Sequence, residues 1–163
     1  MVIGLVASQE KMGTKMQITP ASVADIPALC ELLAVLFSQE ADFKPDYAAQ
    51  SRGLARIIGN PALGLVLVAR RDGQIVGMVN LLYTLSTALG ERVALLEDMV
   101  VSPAARGAGV GSRLLDEAIQ TARLNGCRRI TLLTDRANES AQRFYQRHGF
   151  GSSAMIPLRL LLS

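Results

Sequence analysis

The chain has no tryptophan, only three tyrosines and four phenylalanines, two cysteines and one histidine among 163 residues. With aromatics at 4%, aliphatic side chains must build the core, and few rings are present on which nucleic-acid bases would stack. A nucleic-acid partner is therefore not expected, although the net charge is +3. Cys30 and Cys127 stand far apart, in neither a metal nor a redox spacing, so they are expected as inert reduced thiols in or near the core, and no metal is expected. No apolar run approaches membrane-spanning length. The short one within Met1 to Lys15 lacks a basic start and a cleavage site, so a signal peptide is not expected. These absences give a cytoplasmic chain: a flexible leader at 1–15 and a single domain at 16–163.

What the chain does have is a hydrophobic content of 50% and charged residues at 19%, which favour a packed core over disorder. Residues 1–81 carry seven basic and seven acidic side chains; residues 82–163 carry ten arginines and seven acids. The whole net charge therefore lies in the second half, where it would favour an anionic ligand.

That half also holds Arg106-Gly107-Ala108-Gly109-Val110-Gly111, after a Val- and Leu-rich strand at Val93 to Val101 and before a helical run from Ser112 to Asn125. Three glycines at alternate positions between a strand and a helix let successive backbone N–H groups point at one anion, so the stretch reads as a phosphate cradle. No Gly-Lys-Ser/Thr follows it, against an NTPase. No acidic ribose ligand ends a following strand, and the loop comes late in the chain, both against a dinucleotide fold. A pyrophosphate on some other cofactor remains.

The rest reads as alternating strands and helices. Gln17 to Thr19 is a short strand, Ser22 to Asp25 carries helix-start signals, and Ile26, Leu29, Leu32, Leu33 and Leu36 form one apolar stripe. Ser38 to Asp46 is a polar connection with Glu40, Asp42 and Asp46. A second helix over Tyr47 to Ile58 stops at Gly59-Asn60-Pro61. Strands over Leu63 to Arg71 and Gln74 to Tyr83 meet at Asp72-Gly73, a strong hairpin cue. Arg128 to Thr134 is a further strand, Asn138 opens a helix through Gln146, and Phe150 to Ser153 with Met155 to Leu162 reads as a last hairpin. The order is close to βααββββαβαββ, a mixed α/β sheet with helices on both faces.

Arg106, Gly109 and Gly111 match the Arg/Gln-x-x-Gly-x-Gly/Ala signature of the GNAT superfamily of N-acetyltransferases. Downstream, Asn138-Glu139-Ser140-Ala141, Phe144-Tyr145 and His148-Gly149-Phe150 resemble that family's second motif. Within the superfamily, Leu96-Glu97-Asp98 and Asn138-Glu139 are similar to the spermidine/spermine and thialysine enzymes. The resemblance implies a mostly antiparallel sheet splayed between its fourth and fifth strands and flanked by about four helices, with acetyl-CoA in the opening. It implies donor contacts from Met99, Val100, Val101, Arg106, Gly107, Ala108, Gly109, Val110, Gly111, Ser112, Asn138, Ala141 and Tyr145. A small-molecule primary amine is the implied acceptor, and a homodimer through Met155 to Leu162 is compatible with the family.

Acetyl transfer to an amine by direct attack needs a base for the ammonium, donors for the developing oxyanion and an acid for the thiolate. The resemblance gives Glu97 as base, with Asp98 as substitute, and Tyr145 as acid. Arg143 is a further candidate for the donor's phosphates, and His148 is expected to cap its helix. No cysteine lies in either motif to carry an acetyl group. A catalytically silent acyl-CoA-binding module and a peptide or protein N-acetyltransferase remain as alternative readings.

Overall fold

The structure, a computed structural model, describes residues 15–39 and 44–162. Its elements are β1 (Met16–Pro20), α1 (Ile26–Phe37), α2 (Tyr47–Ile58), β2 (Gly64–Arg71), β3 (Gln74–Ser86), β4 (Glu91–Val101), α3 (Val110–Leu124), β5 (Ile130–Leu132) and α4 (Glu139–Arg147). One sheet runs in the order β1-β2-β3-β4-β5. Pairing is antiparallel up to β4 and parallel between β4 and β5, because α3 crosses over between those two.

Local chemistry fixes the boundaries. Asp72 and Gly73 both take positive φ, 51° and 80°, as a two-residue hairpin turn requires. The carboxylate of Asp46 accepts from the Ala49 N–H at 3.0 Å and opens α2. Before α1, Asp25 accepts from the Ser22 backbone and hydroxyl at 2.7 and 3.0 Å, and Arg70 of β2 reaches it at 2.8 Å, tying that turn to the sheet.

Alternation along the strands builds two cores. Leu67, Ala69, Val79, Leu81, Ala94 and Leu96 pack with Leu114, Leu115 and Ala118 of α3. Val66, Val68, Met78 and Val100 pack with Leu29 and Leu33 of α1 and Leu54 of α2. Leu29, Leu114 and Leu115 have no exposure, and burial of such a side chain contributes about 1.5–3 kcal/mol.

The sheet opens where the site would lie. β4 and β5 pair only at Ala94–Ile130, Leu95–Thr131 and Leu96–Leu132, whereas β3 follows β4 on to the Gly77–Val101 pair. A bulge makes the break: Leu81 faces Leu96 and Asn80 faces Asp98, leaving Glu97 as the extra residue. Beyond it, the Ser102 N–H bonds the Val76 carbonyl at 2.8 Å. Gly77 and Val101 are thus a non-hydrogen-bonded pair, and the N–H and C=O of Val101 and Met99 face away from β3, toward the opening.

Several expectations are corrected. Three strands, not four, lie between α2 and α3. β5 is shorter than Arg128 to Thr134, because its ladder ends with the splay. The closing hairpin is absent: residues 151–162 have no strand, with Pro157 lacking an N–H and β5 offering a ladder of three residues. Met155, Ile156, Leu158, Leu160, Leu161 and Leu162 are exposed. The expected leader, apart from Lys15, and Glu40 and Asp42 lie outside the described residues. No helix among the described residues is long and apolar enough to cross a membrane.

Candidate active site

The glycine loop joins the end of β4 to α3. After a 3-10 turn at Pro103–Ala105, Gly107 and Gly109 take φ of 77° and 75°, the left-handed conformation in which a Cβ is strained. Gly109 precedes α3, and no side chain caps the helix. The first bond back into the loop is from the Arg113 N–H to the Gly109 carbonyl at 3.1 Å. The N–H groups of Val110, Gly111 and Ser112 therefore have no acceptor among the described residues, at the positive end of the helix dipole. A Cβ on Gly107 or Gly109 would meet no atom within 4 Å, so this surface is open. Arg106 donates from Nε to the Val101 carbonyl at 3.1 Å, which holds its guanidinium beside these donors. Such a loop fits a pyrophosphate, and the outward-facing edge of Met99 and Val101 fits an amide-bearing arm that pairs as a strand does.

The two carboxylates at the bulge differ. Glu97 is exposed and makes no hydrogen bond or ion pair with a described residue. Asp98 is half-buried and accepts from the Asn80 Nδ2 at 3.3 Å. Asn80 is 3% exposed, and its Oδ1 is buried without a partner. Sequence reading missed Asn80; its signal is that it is the one polar side chain in the apolar run Met78 to Leu82.

α4 supplies the remaining residues. Asn138 accepts from the Ala141 N–H at 3.0 Å and so caps the helix; that bond occupies the Ala141 donor. Tyr145 lies in the aromatic cluster, its ring 5.2 Å from Phe144 and 5.7 Å from Phe150, both near edge-on. Its hydroxyl makes no hydrogen bond to a described residue, and burial pushes the phenol above its ordinary value. No hydrogen bond or ion pair links it to Glu97. Arg143 is exposed and bound to Glu139 at 3.0 Å. His148 is the C-cap residue of α4, as expected, its N–H bonding the Tyr145 carbonyl at 3.0 Å, while its side chain reaches across to α3.

A broad groove borders Tyr145, Cys127, β5 and Phe150 to Pro157, and no residue of the glycine loop lines it. Burial pushes the thiols of Cys30 and Cys127 up, which leaves them poor nucleophiles. No group of three or more His, Cys, Asp or Glu among the described residues could hold a metal ion.

The half-buried phenols carry a pH signature. Burial raises Tyr145 and Tyr83 in the folded chain from an ordinary value near 10, so the unfolded chain loses these protons first as pH rises. Their contribution to stability is complete below pH about 10 and is lost above it. The melting temperature should therefore decline above pH about 10, and Tyr145→Phe or Tyr83→Phe should flatten that decline. Full development of the ultraviolet phenolate band in the folded protein at the ordinary tyrosine pH would contradict this.

A strand that leaves its neighbour at a bulge, followed by an uncapped glycine loop and helix, is an arrangement that fits a pyrophosphate-bearing acyl donor. The profile of the Acetyltransferase (GNAT) family matches residues 26–150, and the chain belongs to that family. The N-acetyltransferase YhfO of Bacillus subtilis, itself uncharacterized, is 31% identical over 139 residues, 83% of this chain and 89% of that one. The aminoalkylphosphonate N-acetyltransferase of Salmonella typhimurium is 31% identical over 133 residues, 82% and 83% of the two chains. Among solved structures, the integron cassette protein HFX_CASS3 from the mobile metagenome of Cole Harbour Salt Marsh superposes with a TM-score of 0.79 at 28% identity. That match covers 90% of this chain and 91% of the other. The protein is an acyltransferase of the N-acetyltransferase type, and acetyl-CoA is its donor.

Proposed function

We propose that the chain transfers the acetyl group of acetyl-CoA to the primary amine of a small molecule by direct attack, with Glu97 as base and Tyr145 as acid. The observation that carries this reading is the bulge at Glu97. At one point it ends the β4–β5 ladder, turns the Met99 and Val101 backbone outward and sets an unpaired carboxylate at the mouth of the opening. The donor brings an activated thioester carbonyl. Arg106 and the N–H groups of Gly107 to Ser112 hold its pyrophosphate, and the Met99–Val101 edge holds its pantetheine arm. Asn138 shapes the start of α4 beside that arm, and Ala141 contributes its methyl group there.

Most alkyl amines are protonated near neutral pH, so the acceptor must lose a proton before it attacks. Glu97 takes that proton, directly or through water, because its carboxylate has no other partner, whereas Asp98 is already engaged by Asn80. An outward N–H of the Met99–Val101 edge polarises the thioester carbonyl. The Tyr145 hydroxyl, free of hydrogen bonds and kept protonated by burial, gives its proton to the departing thiolate.

A small acceptor is favoured by the relative named as an aminoalkylphosphonate N-acetyltransferase. The polyamine-type likeness of the Leu96-Glu97-Asp98 segment has no counterpart in the relatives described above. The test is release of free CoA thiol with a panel of aminoalkylphosphonates, amino sugars, polyamines, amino acids and short peptides. Release is expected with one small-amine class and a fall of about 10²–10⁴-fold in kcat for Glu97→Gln, with Asp98→Asn as comparison. Release with peptides alone would move the acceptor to a polypeptide N-terminus. Acetyl-CoA binding without turnover on any amine would make the chain a binding module.

A further inference from the structure

His148 is the only histidine in the chain, and its side chain is 12% exposed. It follows the last turn of α4, but its ring is aimed at α3. Nδ1 lies 3.0 Å from Asp116 Oδ1, and Nε2 lies 3.2 Å from Ser112 Oγ. Ser112 and Asp116 are one turn apart on the same face of α3, so one ring reaches both. Phe144 packs against the imidazole with centroids 4.9 Å apart, and the same phenyl ring sits 3.6 Å from where a Cβ on Gly111 would stand. The imidazole is thus braced against the first turn of α3, where the unpaired N–H groups lie.

The hydrogens can be placed by chemistry. A carboxylate only accepts, so Asp116 requires a hydrogen on Nδ1. In the neutral ring that leaves a lone pair on Nε2, and the Ser112 hydroxyl donates to it, its hydrogen turned away from the loop. In the imidazolium, Nε2 also carries a hydrogen and donates to Ser112 Oγ, which frees the hydroxyl hydrogen for an anion at the loop. An anion there favours the charged ring twice over, through the released donor and through its own negative charge.

The other charged groups around the ring do not change with it. On α4, Arg147 precedes it and Arg143 is bound to Glu139; Arg123, Arg128 and Arg129 share the groove that His148 borders. The arginines stay charged throughout the neutral range.

We infer that His148 is a proton-linked positioning residue of the donor site: engagement of the donor's pyrophosphate takes up a proton from solvent onto Nε2 and turns the Ser112 hydroxyl toward the anion. This rests on the placement of the pyrophosphate at the Arg106–Ser112 loop given above.

The experiment uses the full chain without a histidine tag and CoA as the probe, at pH about 8, where an ordinary imidazole is mostly neutral. Titration calorimetry in two buffers of different ionisation enthalpy counts the protons taken up. Nitrogen NMR of the single imidazole reports whether both ring nitrogens carry hydrogen in the complex. The expected result is uptake approaching about one proton per CoA bound, a doubly protonated ring, and affinity that weakens as pH rises. Uptake should fall in Ser112→Ala, which keeps only the pull of the anion's charge, and should vanish in His148→Gln and with pantetheine, which lacks the pyrophosphate, in place of CoA. Ser112→Ala leaves the ring's contacts to Asp116 and Phe144 in place, so it decides the matter if His148→Gln fails to fold. CoA binding with no proton uptake, or with uptake unchanged in Ser112→Ala, would overturn the inference and leave the donor site standing. Failure of the unmodified chain to bind CoA would overturn both.

Discussion

Tyr145→Phe lowers kcat by about 10²–10⁴-fold, the range expected when a positioned general acid is removed, while the affinity for acetyl-CoA stays close to that of the unmodified enzyme. The substitution deletes one oxygen and keeps the ring, so the edge-on contacts with Phe144 and Phe150 survive. Because the Tyr145 hydroxyl has no hydrogen-bond partner among the described residues, its removal leaves no buried group unpaired, and folding stability should change by less than about 1 kcal/mol. The loss therefore belongs to the transition state, where negative charge gathers on the departing sulfur. Steady-state rates at saturating acetyl-CoA, alongside CoA affinity by calorimetry, separate the two effects. Retention of most of the rate would assign the proton to water and leave Tyr145 a packing residue.

Gly109→Val weakens CoA binding by about 100-fold or more, the scale of losing oriented backbone donors at an anion site. At φ of 75° a residue with a Cβ is strained by about 1–2 kcal/mol, and a β-branched one by more. The chain puts no atom within 4 Å of that Cβ, so strain rather than collision sets the folding cost. The loop relieves the strain by turning Gly109 out of the left-handed region, and that turn swings the N–H groups of Val110 to Ser112 off their common target. Gly90→Val is the matched control. It has φ of 65° and equally open surroundings, but it sits in the β3–β4 turn, at the far end of β4 from the loop. Thermal unfolding should show comparable losses for the two variants, and CoA titration should show a loss for Gly109→Val alone. Equal affinity in both would remove the glycine loop from the donor site.

How much could be read in the residues depends on how local each signal is. Asp72-Gly73 announced its hairpin because a two-residue turn with both φ positive admits few residue pairs, and the α3 stripe announced itself by its period. The glycine loop was legible for the same reason, and with it the uncapped turn into α3 that is proposed to hold the donor. The bulge at Glu97 was not, since a bulge is a mismatch between two strands and neither strand carries it alone. Alternation had set Glu97 and Asp98 on opposite faces without saying which one was free; only the register, with Asn80 opposite Asp98, separates them. His148 beside Gly149 read as a helix cap, and its backbone does close α4, but nothing local announced its ring partners, which lie 32 and 36 residues earlier in the chain. The last hairpin failed because strand-like composition in Met155 to Leu162 does not supply a ladder for it to join.

The short ladder between β4 and β5 also sets an order in which the molecule can come apart. Glu97 belongs to the meander of β1 to β4, which adjoins its neighbours along the chain and buries one whole face under α1 and α2. Tyr145 belongs to the segment beyond α3, joined to that meander edge to edge by three residue pairs and, through Ile130, Leu132, Phe144 and Tyr145, to the core under α3. The proposed base and acid thus sit on either side of the shortest ladder in the sheet. A fluctuation that opened that ladder would part the two groups while the core under α1 and α2 stays packed, so activity is expected to fall at a lower temperature than the melting transition, as rates and thermal unfolding measured side by side would show. The proposed donor, bound across the gap, would act in the opposite sense, as a rivet between its two sides.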